Sequence, residues 1–190
     1  MYEQVKRLND FLFSFVMLIF CLPLFLVIGL LIKLESEGPV FFKQKRSGVA
    51  GSYFNIYKFR SMKIGTPNLA TDQIGDSKQY VTRIGNFLRK TSMDELPQLI
   101  NIFLGQMSFV GPRPALFNQY DLINARKFNK IDNVRPGLTG YAQIMGRDYI
   151  SDEQKVSYDK YYLDHLSLNL DLKIILLTFV KVVKADNVRG

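Results

Sequence analysis

The sequence predicts an α+β fold that is mostly helical, with a small β-hairpin, an N-terminal re-entrant membrane helix and amphipathic interfacial helices. Three observations carry this expectation. Residues 11–32 contain no charged side chain, two short aromatic segments flank a glycine-containing turn, and three later segments have the composition and spacing of helices. In a chain of 190 residues this gives an anchor over residues 1–36 and one further domain over residues 37–190.

A straight helix over residues 11–32 would rise ~33 Å, enough to cross a hydrocarbon core of about 30 Å. Pro23 lies in the middle of the run. It lacks an amide hydrogen and its ring collides with the carbonyl of Ile19, so a bend or break is expected there. Lys6 and Arg7 precede the run and Lys33, Lys43, Lys45 and Arg46 follow it, which puts the basic residues of a cytoplasmic flank on both sides. That symmetry suits a hairpin entering and leaving by one face; a single kinked spanning helix and a buried core helix are the alternatives. A cleaved signal peptide does not fit, because Lys33-Leu34-Glu35-Ser36-Glu37 follows the run where a small-residue cleavage site belongs.

Residues 39–42 and 53–59 read as two strands joined through Gly48-Val49-Ala50-Gly51. Residues 65–79 lack periodic apolar positions and read as a mobile surface loop, either a lid or a plain excursion. Residues 96–104 form a short apolar helix stopped by Gly105, after which Val110-Gly111-Pro112-Arg113-Pro114 is a stiff non-helical passage. Residues 120–130 are helical and polar. Arg135-Pro136-Gly137-Leu138-Thr139-Gly140 is turn chemistry, with glycines available for positive φ. Residues 170–184 are helical and apolar over most of the circumference, with Lys173, Lys181 and Lys184 grouped on the wheel. That pattern suits a helix on lipid with snorkelling lysines, or one packed on the protein's own core.

Composition narrows the chemistry. Cys21 is the one cysteine and lies inside the apolar run, and His165 is the one histidine, so disulfides and cysteine or multi-histidine metal sites are excluded. His165 reads as a surface residue. The net charge of +8 calls for anionic partners: lipid headgroups, a nucleotide diphosphate or nucleic acid. Nucleic acid is disfavoured, since basic residues alternate with apolar ones and no DNA- or RNA-reading pattern is present. Neither a P-loop nor a strand-linked dinucleotide motif occurs.

Asp94 and Glu95 are paired carboxylates beside a predicted helix start with arginines close by. Ser92-Met93-Asp94-Glu95 matches a capping box, in which the acids merely stabilise a helix end. Pro97 complicates that reading, because with Ser92 as cap it would sit too deep in the helix. With Asp94 as cap it falls in the first turn, where the dipole would keep Asp94 ionised and able to ligate Mg²⁺ or attack phosphorus. Arg113, locked between Pro112 and Pro114, is preorganised for a bidentate phosphate contact or is a surface turn. Lys58 and Arg60 share one strand face, and Arg89 lies shortly before Asp94; these either converge on one anion or are solvated.

Several ordered blocks resemble one family, the bacterial sugar transferases, or monotopic polyprenyl-phosphate phosphoglycosyl transferases. They are Lys6-Arg7 with Asp10, Gly38-Pro39-Val40-Phe41-Phe42-Lys43-Gln44-Lys45-Arg46, Tyr57-Lys58-Phe59-Arg60-Ser61-Met62 and Arg89-Lys90-Thr91-Ser92-Met93-Asp94-Glu95-Leu96-Pro97-Gln98. Met107-Ser108-Phe109-Val110-Gly111-Pro112-Arg113-Pro114 and Arg135-Pro136-Gly137-Leu138-Thr139-Gly140 complete the likeness, which covers almost the whole chain.

The resemblance implies transfer of a sugar 1-phosphate from a UDP-sugar to undecaprenyl phosphate with release of UMP. It makes residues 37–190 a catalytic domain at the cytoplasmic face of the bacterial cell membrane. Asp94 would be the nucleophile and Glu95 its assistant, both beside Mg²⁺, with Lys58, Arg60, Arg89, Pro112 and Arg113 binding substrate. Anionic lipids are further expected partners, and a homo-oligomer is left open. Where many relatives carry Ser before the anchor proline, Leu22 stands here, so the freed carbonyl needs another partner. Met1 begins almost at the anchor, as expected of a minimal family member. Phe59-Arg60-Ser61-Met62-Lys63, Pro114-Ala115-Leu116-Phe117-Asn118-Gln119-Tyr120 and Met145-Gly146-Arg147-Asp148 are similar to capsule-initiating members. A non-enzymatic membrane adaptor and a nucleotide-sugar hydrolase are the rival readings.

Overall fold

The computed structural model describes residues 2–66, 79–146 and 149–183. Most of the loop expected at residues 65–79 lies outside these, as do Arg147, Asp148 and Lys184. The chain opens with helix α1 (Tyr2–Glu35), which is long and apolar enough to cross a membrane. The helix is continuous through Pro23, so of the bend or break expected there the break is not found. Proline removes one donor, which a helix held on both sides of the gap tolerates without breaking.

Helix α1 is held at both ends. In its first turns the Tyr2 hydroxyl donates to Asp171 at 2.7 Å and Lys6 pairs with the same carboxylate. Arg7 donates to the carbonyls of Ile102 and Phe103 at 2.8 and 3.0 Å, and Asp10 accepts the Phe109 N–H at 3.2 Å. At the other end Phe25, Ile28 and Ile32 pack with Phe59 and Leu88. Between them Leu18 and Cys21 lie against Ile56, Leu99, Ile102 and Met107. The outward side stays apolar, with Phe20 80% and Leu34 75% exposed.

Strands β1 (Phe41–Ser47) and β2 (Tyr53–Phe59) form the expected antiparallel hairpin, with Phe41 opposite Phe59 and Ser47 opposite Tyr53. The first strand begins later and runs further than its apolar residues suggest. Its lysines are accommodated on aromatic faces, Lys43 over Tyr57 and Lys45 over Tyr53 and Phe117. Asn101 seals the free edge of β2 as a strand would: its Oδ1 accepts the Tyr57 N–H at 3.0 Å and its Nδ2 donates to the Asn55 carbonyl at 2.8 Å. Buried backbone groups without such a partner would cost about 1–3 kcal/mol each.

Helix α2 (Arg83–Lys90) was not anticipated. Thr82 caps it, and Glu35 accepts the Arg83 and Ile84 N–H groups, tying the end of α1 to its start. Helix α3 (Gln98–Phe103) follows Pro97 and ends at Leu104, before Gly105 in the left-handed region with φ of 79°. A second sheet then replaces the expected turns: β3 (Ser108–Val110) pairs in parallel with β4 (Gly137–Thr139). The glycines here serve close approach rather than positive φ. A β carbon on Gly140 would lie 2.1 Å from the Gly111 oxygen, and one on Gly111 would lie 2.3 Å from the Arg135 oxygen.

Helices α4 (Tyr120–Phe128), α5 (Tyr141–Met145), α6 (Asp152–Asp164) and α7 (Leu168–Val183) complete the described chain. Ser151 and Gln154 form a capping box on α6. Exposed His165 stacks on Tyr161, as befits a surface residue. The last helix packs one face on the protein's own core and leaves another apolar face exposed. Asp171 and Ile174 are buried against the body, while Leu172, Leu176 and Phe179 face outward.

Because both ends of α1 grip one body, Glu3→Cys and Glu37→Cys, each in a Cys21→Ser background, should be labelled by an impermeant maleimide from the same side of a membrane vesicle. Labelling from opposite sides would establish a spanning helix.

Candidate active site

Asp94 and Glu95 lie in a single 3₁₀ turn, Met93–Glu95, between α2 and α3. Ser92 enters it in the left-handed region with φ of 56° and its side chain caps nothing, so the capping box is not formed. Nor does Asp94 cap α3, since Pro97 takes the position before its first turn. What fixes the turn is packing: Met93 and Leu96, on either side of the acids, insert into the cluster around Phe59 and Leu88. Both acids are buried, each 8% exposed.

Two adjacent carboxylates in such a place need cations, because burial penalises the charged form. Lys58 comes from β2, its Nζ 2.7 Å from Glu95 Oε1 and 3.9 Å from Asp94 Oδ2. Arg113 Nη2 reaches the same Glu95 oxygen at 2.9 Å. Burial pushes the Asp94 carboxyl above its ordinary value; Lys58 is the strongest opposing influence, Glu95 adds to the rise, and Arg89 and Arg113 oppose it more weakly. This corrects the expectation that a helix dipole governs the ionisation of Asp94.

The loop carrying Arg113 is held by its carbonyls. That of Pro112, which is buried, accepts the Gly137 N–H at 2.9 Å, that of Arg113 accepts Arg126 Nη1 at 2.7 Å, and that of Pro114 accepts Arg46 Nη1 at 3.0 Å. Burial and the Arg113 charge pull the Arg46 guanidinium below its ordinary pKa, while Glu95 opposes them. Arg46 thus belongs to the electrostatics of the site, although its sequence position suggested only a basic flank. Its alternation with Phe42 and Gln44, on the face that pairs across to Lys58, was the available signal.

Arg60 is placed elsewhere. Its guanidinium donates to the Glu37 carbonyl at 2.6 Å and to the Ser36 carbonyl and hydroxyl at 2.7 and 2.9 Å, which secures the exit of α1. Strand β2 ends at Phe59, so the alternation that would align Arg60 with Lys58 has stopped. The structure therefore gathers Asp94, Glu95, Lys58 and Arg113, brings Arg89 within electrostatic range, uses Pro112 as part of a rigid loop, and commits Arg60 to the anchor.

Among the described residues no three acidic, histidine or cysteine side chains cluster as a self-sufficient metal cage. A pair of carboxylates is nevertheless the donor set that Mg²⁺ takes when phosphate oxygens and water fill the rest of its shell. The site can offer a buried carboxylate nucleophile, a second carboxylate and cations suited to phosphate.

A family model described as bacterial sugar transferase matches residues 1–185. The chain is 39% identical over 189 residues to the sugar transferase EpsL of Bacillus subtilis (strain 168), an alignment covering 97% of this chain and 90% of that protein. It is 40% identical over 186 residues to the UDP-glucose:undecaprenyl-phosphate glucose-1-phosphate transferase of Escherichia coli (strain K12), covering 93% of this chain and 40% of that protein. It is 37% identical over 196 residues to the UDP-N-acetylgalactosamine-undecaprenyl-phosphate N-acetylgalactosaminephosphotransferase of Aeromonas hydrophila, covering 99% of this chain and 46% of that protein. The chain thus spans less than half the length of the last two.

Lys58→Met removes the strongest cation acting on Asp94, so the folded pKa of that acid should rise further above its unfolded value. The stability lost is then larger at higher pH, where the charged form is favoured, and shrinks as pH falls toward the ordinary carboxylate value of about 4. Thermal unfolding of variant and wild type at pH 7 and pH 5 checks this. An equal deficit at both would show that Lys58 does not compensate the buried acids.

Proposed function

The chain belongs to the bacterial sugar transferase family, and from that premise we propose that it moves a sugar 1-phosphate from a UDP-sugar onto undecaprenyl phosphate, releasing UMP. The observation that carries the proposal is the buried Asp94–Glu95 pair with Lys58 and Arg113 converging on it. The names of the E. coli and A. hydrophila relatives support the same class of donor and acceptor.

The transfer proceeds as two displacements at phosphorus. Asp94 attacks the phosphorus that bears the sugar; an aspartyl O–P bond forms, the phosphoanhydride bond breaks, and UMP leaves with the bridging oxygen. An oxygen of undecaprenyl phosphate then attacks the same phosphorus. The new phosphoanhydride forms as the aspartyl bond breaks, and Asp94 is regenerated as a carboxylate. The covalent route lets the soluble product depart before the lipid acceptor enters, so one set of anion contacts serves both substrates.

Lys58 and Arg113 neutralise charge that builds on the phosphoryl oxygens, and they do so without reorganisation because Glu95 and the loop already hold them. Asp94 and Glu95 are the residues that would hold Mg²⁺, which supplies further neutralisation when bound. Arg89 adds a cation at the rim. The anchor is read as re-entrant at the cytoplasmic leaflet, supported by basic residues at both flanks and by the grip of both helix ends on one body. That geometry keeps Asp94 near the depth at which a polyprenyl phosphate presents its headgroup. Initiation of a capsular or other surface polysaccharide is the role that fits such a product.

Incubation with a panel of UDP-sugars, Mg²⁺ and undecaprenyl phosphate should give a lipid-linked sugar diphosphate; free sugar phosphate would indicate a hydrolase, and no reaction with any sugar an adaptor. Labelled UMP should also exchange into the UDP-sugar without the lipid acceptor. Asp94→Asn should abolish both reactions with little change in unfolding temperature, and normal turnover in that variant would refute the nucleophile assignment.

A further inference from the structure

The proposed donor site depends on an arginine with a long and partly exposed side chain. The Arg113 side chain is 32% exposed, and its Nη2 meets Glu95 Oε1 at 2.9 Å. A long side chain reaches a fixed point reliably only if its backbone origin is fixed, and a displacement of roughly 1 Å at a reacting phosphate can cost about a hundredfold in rate. The flanking prolines restrict φ on either side but do not orient the peptide between them.

The Arg113 carbonyl is oriented from outside the site. Arg126 of α4, 7% exposed, directs Nη1 to that oxygen at 2.7 Å. Its other two nitrogens, Nε and Nη2, donate at 3.0 and 2.6 Å to one carboxylate oxygen of Asp159 of α6, which is 1% exposed. A buried ion pair is a poor device for stability alone, since apolar residues of like volume often do as well. What apolar residues cannot supply is a third, directed N–H. The guanidinium fork supplies it, because its donors leave in fixed directions and Asp159 fixes the plane.

We propose that Arg126, clamped by Asp159, is a positioning residue that sets the Arg113 guanidinium for the sugar-nucleotide diphosphate. This rests on the donor-binding role of Arg113 given above. Arg126 acts through the Arg113 peptide, whose carbonyl it holds. Arg126→Lys keeps the positive charge and can still meet Asp159, but a single ammonium on a flexible stem cannot hold both the carboxylate and the carbonyl in this geometry.

The test is a double-mutant cycle in detergent-solubilised full-length protein, read by the Kd for UMP from calorimetry and by KM and kcat with the UDP-sugar that the wild type uses. Arg126→Lys should raise the UMP Kd and the UDP-sugar KM by about tenfold. In an Arg113→Ala background the same change should add less than about twofold, because the group it positions is gone. Should Arg126→Lys fail to fold, Asp159→Asn, nearly isosteric, carries the same cycle with the same expectation. Equal losses in both backgrounds, or a lower unfolding temperature with UMP Kd and KM unchanged, would overturn the proposal and leave the pair a structural contact. A wild-type protein that neither binds UMP nor transfers sugar would instead defeat the functional reading.

Discussion

One carboxylate oxygen, Glu95 Oε1, receives both Lys58 and Arg113, and the rest of the molecule is arranged so that this meeting takes place. Two adjacent acids could not be buried without cations at hand, because the desolvation of each is several kilocalories in scale and their mutual repulsion adds to it. The cations come from parts of the chain distant in sequence, a hairpin strand and a proline-bounded loop. Each must therefore be delivered by its own scaffold. Asn101 seals the edge of the strand that carries Lys58, and the glycine-lined approach of β3 to β4 fixes the start of the loop that carries Arg113. The acids themselves are held by apolar neighbours rather than by a cap.

The anchor is part of the same arrangement. Its beginning is bound to α3, β3 and α7 and its end to α2 and the residues just beyond β2. These contacts join both ends of α1 to the same body, which is the observation behind the re-entrant reading proposed above. Its outward face and that of α7 remain apolar, and surfaces of this kind are stable in contact with lipid rather than water. The depth of the acid pair relative to the membrane surface is thereby tied to the depth of the anchor.

Much of this was legible from residues alone. The hairpin, the apolar helix and the short helix expected at residues 96–104 follow from local composition. Asp94, Glu95 and Arg113 stood out as charges in constrained settings, while Lys58, equally open to a solvated reading, took its role from the family resemblance. The misses have physical causes. Ser92-Met93-Asp94-Glu95 satisfies a capping pattern, yet side chains at 93 and 96 find more burial in a 3₁₀ turn. Gly137 and Gly140 look like turn glycines because positive φ and close backbone approach call for the same residue. Arg60 follows Lys58 by the strand period, but the strand had ended. Arg126 and Asp159 are separated by two helices' worth of chain, and no local pattern announces a pair formed only by tertiary packing.

The central claim is that Asp94 becomes covalently bonded to the phosphorus of the sugar phosphate during each cycle. Mass spectrometry of protein rapidly quenched with UDP-sugar and Mg²⁺ in the absence of lipid acceptor tests it most directly. The account predicts a phosphosugar adduct on the peptide containing Asp94, which disappears when undecaprenyl phosphate is added before the quench. An adduct on a different side chain, or none in a preparation that transfers sugar at full rate, would contradict it.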